Sequence, residues 1–291
     1  MSSPSTISKL NYANLAAYLL NCFVTYTVGT SGRFPTNAEL SEKYQTIVTP
    51  AGYAFAIWGI IFTSQLIWAL AQVAVPSYRS KELVVEGVGR SYLWVCIAQV
   101  LWTICFTTEH LTLSLAAMVG ILIPLVQILF KSKNLEAETV GQYFLLKFPF
   151  QIHAGWIMAA TLVNWNVVVV GTLQASATVQ SVSGIASLIG LAAAGFYFTL
   201  LQTVYVIPFV LAWAAFAIHK ELGNPKDLIL STFPASTIAG FDRAALLLAI
   251  AILILVVIRL VMDRLGYSRR AGDTEESSSS YTAIGRHNND E

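Results

Sequence analysis

The chain has 291 residues, of which 56% are hydrophobic and only 11% charged; 17 Lys and Arg against 16 Asp and Glu leave a net charge of +1. A soluble domain carries about a quarter charged residues, so this composition cannot cover a water-facing surface and specifies an all-α integral membrane protein. The near-neutral balance also excludes nucleic acid as a partner, because neutralising phosphates demands a basic face.

Crossing about 30 Å of hydrocarbon takes about 20 apolar residues in a helix. Six runs meet that need, approximately Leu10 to Gly29, Pro50 to Val75, Ser91 to Thr108, Leu111 to Phe130, Tyr143 to Val170 and Arg243 to Met262. Between the last two lies Ser183 to Ile218, 36 residues without a charge. As one helix it would span about 54 Å, so it is expected to split near Thr199 to Thr203, which brings the total to eight spans. With eight spans, one side of the membrane receives 12 Lys and Arg and the other 5, whereas seven spans give 10 against 7. The sharper asymmetry favours eight spans with both termini in the cytoplasm. The first run begins after a short segment, residues 1–9, and is read as a retained helix rather than a signal peptide, because Asn14 and Asn21 share a face suited to interhelical hydrogen bonds.

Polar groups at membrane depth are expensive and therefore candidates for function. Gln65 and Gln72 follow Trp58 at seven and fourteen residues on the second span, so the three share nearly one face. Gln99 and Trp102 share a face of the third span, and His153, Trp156, Ala160 and Asn164 form one stripe on the fifth. Three helices thus each pair a tryptophan with polar groups, the lining a planar apolar guest requires. Trp68, Trp94, Trp165 and Trp213 are instead read as interfacial belt residues. Pro149 is expected to bend the fifth span and free the carbonyl of Leu145, and Lys147 to snorkel to the boundary.

Glu109 and His110 read as a polar turn between the third and fourth spans. Cys22, Cys96 and Cys105 read as packing residues without disulfide or metal motif. No nucleophile with its base, phosphate loop or carboxylate pair is present, so no catalytic residues and no enzymatic activity are expected. From Ser268 onward the chain turns polar and reads as a disordered cytoplasmic tail, with a serine run from Ser277 to Ser280 and a Tyr-x-x-bulky pattern from Tyr281 to Ile284.

The segment Thr49 to Phe62, TPAGYAFAIWGIIF, resembles the second helix of the TspO/MBR family, the tryptophan-rich sensory proteins related to the peripheral benzodiazepine receptor. In it Thr49 is placed to cap a helix and Pro50 to occupy its first turn. Gln99 and Trp102 in QVLW are similar to the family's Asn-x-x-Trp, and Trp156, Ala160 and Asn164 in GWIMAATLVN to its Trp-x-x-x-Ala-x-x-x-Asn. The departures are Ala51 in place of the second of two prolines, Tyr53 in place of a Trp, a spacing to Trp58 one residue shorter, and Gln99 in place of Asn. The resemblance covers residues 10–172, five spans, and leaves residues 173–267 as three additional helices. It implies binding of a porphyrin, sterol or similar apolar molecule in a helical bundle by Trp58, Gln99, Trp102, Trp156, Ala160 and Asn164. Stripe and resemblance together give the candidate ligand site: Trp58, Trp102 and Trp156 stacking, with Gln99, His153 and Asn164 orienting a polar edge. The expected partners are the lipid bilayer and an apolar small molecule, with haem or a porphyrin as candidate ligand, no resident cofactor or metal, and a homodimer as candidate assembly. The competing expectation is a secondary transporter, drawn from the helix count and from Pro124, Pro149 and Pro208 as helix breakers.

Overall fold

The computed structural model describes residues 7–30 and 32–266, so the polar tail and its serine and tyrosine motifs lie outside the described residues. The described chain is helical throughout: α1 (Lys9–Thr30), α2 (Asn37–Lys43), α3 (Ile57–Ala74), α4 (Ser91–Thr107), α5 (Leu111–Lys131), α6 (Val140–Leu146), α7 (Phe148–Gly171), α8 (Ala177–Leu200), α9 (Val206–Leu222), α10 (Asp227–Thr232) and α11 (Ala235–Arg264). Among the described residues, eight of these helices have at least 17 residues. Five stretches are long and apolar enough to cross a membrane: Gly52–Ala74, which takes in α3, and the helices α5, α7, α8 and α11. α4 is apolar but has only 17 residues. In α1 three asparagines dilute the apolar run, and α9 ends in His219, Lys220 and Glu221.

α7 is the hub. It packs against α3, α5, α8 and α9, while α4 joins α1 to α5 and α11 closes over α8 and α9. A helix apolar on every side suits such a central position. Its approach to α9 needs Gly155, where a Cβ would sit 3.0 Å from Val210 Cβ and 3.3 Å from the backbone Cα of Ile207. α1 is bound in by Tyr18, whose hydroxyl donates to the Phe62 carbonyl at 2.8 Å, and by Asn11 and Asn14, which donate to Gln72 at 3.4 Å.

Several boundaries differ from expectation for local reasons. The fifth span is two helices, because the chain breaks at Lys147 (φ −111°, ψ −48°) and Pro149 falls in the first turn of α7. The proline's missing N–H is there one of the donors a helix start leaves unused anyway, so it begins a helix rather than bending one. Pro208 likewise lies in the first turn of α9, and of the three prolines only Pro124 sits inside a helix. Thr49 does not cap α3; its hydroxyl accepts from the Thr46 amide at 2.8 Å and closes a turn ahead of a 3-10 segment, Gly52–Ala56, that precedes α3. The α8–α9 break falls at residues 201–205, close to the expected place, with Thr203 at φ +53°. The last helix starts eight residues before Arg243, so Asp242 and Arg243 lie within it; at 1.5 Å per residue its 30 residues exceed the hydrocarbon thickness.

Trp68 is fully buried rather than interfacial, with its ring centroid 4.8 Å from Tyr92 and 5.0 Å from Phe150 in edge-on contacts. Trp94, Trp165 and Trp213 remain exposed at the helix surface. Outside the long helices, α2 opens with a capping box in which Thr36 and Glu39 satisfy each other's backbone amides. The turn after α4 holds Glu109 at φ +59°, its carboxylate accepting from Lys43 and from the Tyr44 hydroxyl, which ties the α2 segment to the α4–α5 turn.

Candidate functional site

Three helices bring their tryptophans to one place. The rings of Trp58 on α3 and Trp102 on α4 are nearly parallel, 27° apart with centroids 6.5 Å apart, and Trp156 on α7 stands edge-on to Trp58 at 6.4 Å and 84°. Phe55 meets Trp156 edge-on at 5.7 Å, and Phe106 stacks on Trp102 at 5.1 Å, extending the aromatic wall by one helical turn on either side. Such geometries lie within the range in which aromatic pairs attract beyond simple burial.

These rings border a cavity of about 60 Å³, smaller than a formed small-molecule site, so a flat guest has to part the rings to enter. Trp58, Trp102, Trp156, Ala160 and Asn164 line it. The other two candidate residues do not. His153 is fully buried one turn before Trp156 and makes a strut between helices: its Nδ1 lies 2.8 Å from Gln65 Nε2, and Gln65 Oε1 accepts from the Tyr92 hydroxyl at 3.0 Å. Gln99 is buried on α4 away from the lining. The spacing identified both as inward-facing residues, but inward on these helices also means toward a neighbouring helix.

The cavity has walls that the tryptophan pattern does not signal. Met118 of α5, Ser187 and Leu191 of α8, and Ala214 and Ile218 of α9 complete it, and Asn37 and Ser41 of α2 border one end. Small and aliphatic residues carry no chemical mark that separates a cavity wall from ordinary packing. Only α2 had a readable signature, the Thr36-x-x-Glu39 capping box.

The polar inventory of this lining is short, and most of it is committed. Trp102 Nε1 donates to Asn164 Oδ1 at 3.0 Å, and Asn164 Nδ2 donates to Ser114 Oγ at 3.1 Å, which itself donates to the Leu111 carbonyl at 2.7 Å. Ser187 donates to the Ser183 carbonyl at 2.9 Å and accepts from Asn166 at 2.7 Å. Trp156 Nε1 is different: it is buried and has no hydrogen-bond partner among the described residues. No Lys, Arg, His, Asp or Glu lines the cavity. Among the described residues no group of His, Cys, Asp and Glu is placed to hold a metal ion.

The family profile for TSPO-like proteins matches residues 11–258. The chain belongs to the TSPO-like family. The match takes in α8, α9 and most of α11 as well as α3, α4 and α7, which carry the tryptophan motifs. The helices that complete the cavity therefore lie inside the family match. No match was found among curated proteins or solved structures. Apolar spanning helices and TSPO-like membership together make this an integral membrane protein whose aromatic-rich helices fit a ligand-binding role.

Proposed function

We propose that the protein binds a flat, apolar, largely uncharged molecule in the Trp58–Trp102–Trp156 cavity, for sensing or carriage within the bilayer. The observation that carries this reading is the lining itself: three indoles, no charged side chain, and one fully buried donor without a partner, the Trp156 N–H, while Asn37, Ser41 and Trp58 are partly exposed. A buried N–H costs free energy when left unpaired, so the favoured guest offers one acceptor oxygen or nitrogen at its edge. Sterols and esterified tetrapyrroles meet that description better than a dianionic porphyrin, whose carboxylates would find no cation in the cavity. Axial ligation of haem by His153 has no support in the lining, which His153 does not join.

The eight long helices support eight crossings, α1 and α9 included, and the charge asymmetry supports cytoplasmic termini. Because α8 and α9 wall the cavity, the C-terminal helices are read as part of the binding unit rather than as an appendage to a five-helix bundle. The binding reading is tested by tryptophan-fluorescence titration of purified protein with protoporphyrin and with its dimethyl ester. The ester is expected to bind more tightly, and Trp156→Phe to weaken ester binding by about tenfold. Equal affinity for acid and ester, or no effect of Trp156→Phe, would overturn it.

A further inference from the structure

A second cavity lies at the opposite end of the same helices. α7 borders the aromatic cavity with residues 156–167 and the second one with Phe150 and Gln151; α5 and α8 likewise meet both cavities at different points along their lengths, and the connection 202–205 ahead of α9 borders the second. It is the larger of the two, with a volume of about 670 Å³. Phe150 and Phe198 belong to a lining that also includes Ile128 and Leu146, all buried, so part of it is apolar.

The polar side of this cavity is rich in uncommitted donors. The Lys147 ammonium, half-buried in the break between α6 and α7, makes no hydrogen bond or close ion pair among the described residues, and that of the exposed Lys133 makes none either. Gln151 is buried and its oxygen accepts from the Tyr143 hydroxyl at 2.6 Å, which leaves its amide NH₂ to donate. Neither lining carboxylate forms a hydrogen bond or close ion pair with these groups. Glu138 is committed to Lys81, outside the lining, and to Gln142. Glu136 is exposed and makes no close ion pair, although its charge acts on Lys147 from a distance.

A half-buried ammonium beside a free amide, above an apolar floor, is complementary to a molecule with an anionic head and a hydrocarbon tail. We propose that this second cavity is a binding site for a single-chain anionic amphiphile, its phosphate or carboxylate held by Lys147 and Gln151 and its chain lying against Phe150 and Phe198. The site is separate from the aromatic cavity and does not depend on what that cavity binds.

The test is native mass spectrometry of the full chain in neutral detergent, titrated with lysophosphatidic acid, lysophosphatidylcholine, decyl phosphate and inorganic phosphate. An anionic amphiphile is expected to bind at least about tenfold more tightly than lysophosphatidylcholine, and inorganic phosphate not to compete. Preference for lysophosphatidic acid would assign the site to a membrane lipid, and preference for decyl phosphate to a soluble metabolite. Lys147→Gln should weaken binding about tenfold, Lys147→Arg should retain it, and Trp156→Phe should leave it unchanged. Should Lys147→Gln fail to fold, the exposed Lys133→Gln provides the same test with an expected loss of about threefold. Equal binding of the zwitterionic lipid, competition by inorganic phosphate, or indifference to the lysine substitutions would overturn the proposal.

Discussion

The Trp102–Asn164 hydrogen bond fixes one wall of the aromatic cavity, and its contribution can be isolated. Both side chains are buried, Trp102 at 7% and Asn164 at 3% exposure, and the bond is 3.0 Å long. Asn164→Leu removes the acceptor and strands the Trp102 N–H. Ser114 is not stranded with it, because its hydroxyl keeps the Leu111 carbonyl at 2.7 Å. One orphaned donor costs about 1–3 kcal/mol, and interhelical hydrogen bonds in membrane proteins average about 0.6 kcal/mol with a maximum near 1.7; the expected loss is therefore about 1–2 kcal/mol. Trp102→Phe removes the donor instead and leaves Asn164 bonded to Ser114. In the double variant nothing is orphaned, so the cycle should show a coupling of about 1 kcal/mol. Reversible unfolding in mixed micelles measures all four proteins. Additivity within about 0.3 kcal/mol would refute the reasoning that this bond, rather than ring packing, positions Trp102.

Gly155→Leu should separate α7 from α9 and cost about 3 kcal/mol, while Gly240→Leu, on α11 with nothing within 4 Å of its Cβ position, should cost little in the same unfolding assay. Glu109 should anchor the α2 segment in a pH-dependent way. Its hydrogen bond from Lys43, and then that from Tyr44, hold its carboxyl below the ordinary value, so its contribution is present above the unfolded Glu pKa of about 4.3 and is lost as pH falls through the lower folded value. Hydrogen exchange across residues 37–48 should therefore speed up on acidification in the wild type, beyond the intrinsic pH trend, and show no such transition in Glu109→Gln. His153→Phe should break the strut to Gln65 and orphan Gln65 Nε2, lowering stability by about 1–3 kcal/mol, yet leave ligand affinity within about threefold in a fluorescence titration; a total loss of binding would return His153 to the site.

The tryptophan faces were legible because a 3.6-residue period leaves little choice about which side chains share a helix face. Trp58, Trp102, Trp156, Ala160 and Asn164 meet at one cavity for that reason. Periodicity does not say what a face looks toward. Gln99 and His153 face neighbouring helices, and Trp68, read as a belt residue, is sealed between Tyr92 and Phe150. Pairings across distant helices were likewise invisible: nothing in the local pattern links His153 to Gln65, or His219 Nδ1 to Asp242 Oδ1 at 2.6 Å across α9 and α11. The break at Lys147 escaped because hydropathy averages smoothly through Phe144 to Phe150 while a proline two residues later resets the backbone. Ala214 and Leu191 could not be read as walls, since an alanine or leucine beside a cavity looks like one in a packed core.

The central claim, that the aromatic cavity holds an apolar molecule, is tested most directly by filling it. Ala160 lies on the lining, and Ala160→Phe should block the space between the rings without introducing charge. Native mass spectrometry of protein extracted in mild detergent should show a bound apolar molecule on the wild type and its loss from Ala160→Phe, with the fold retained by circular dichroism. The same bound mass at the same occupancy in both proteins would contradict the account.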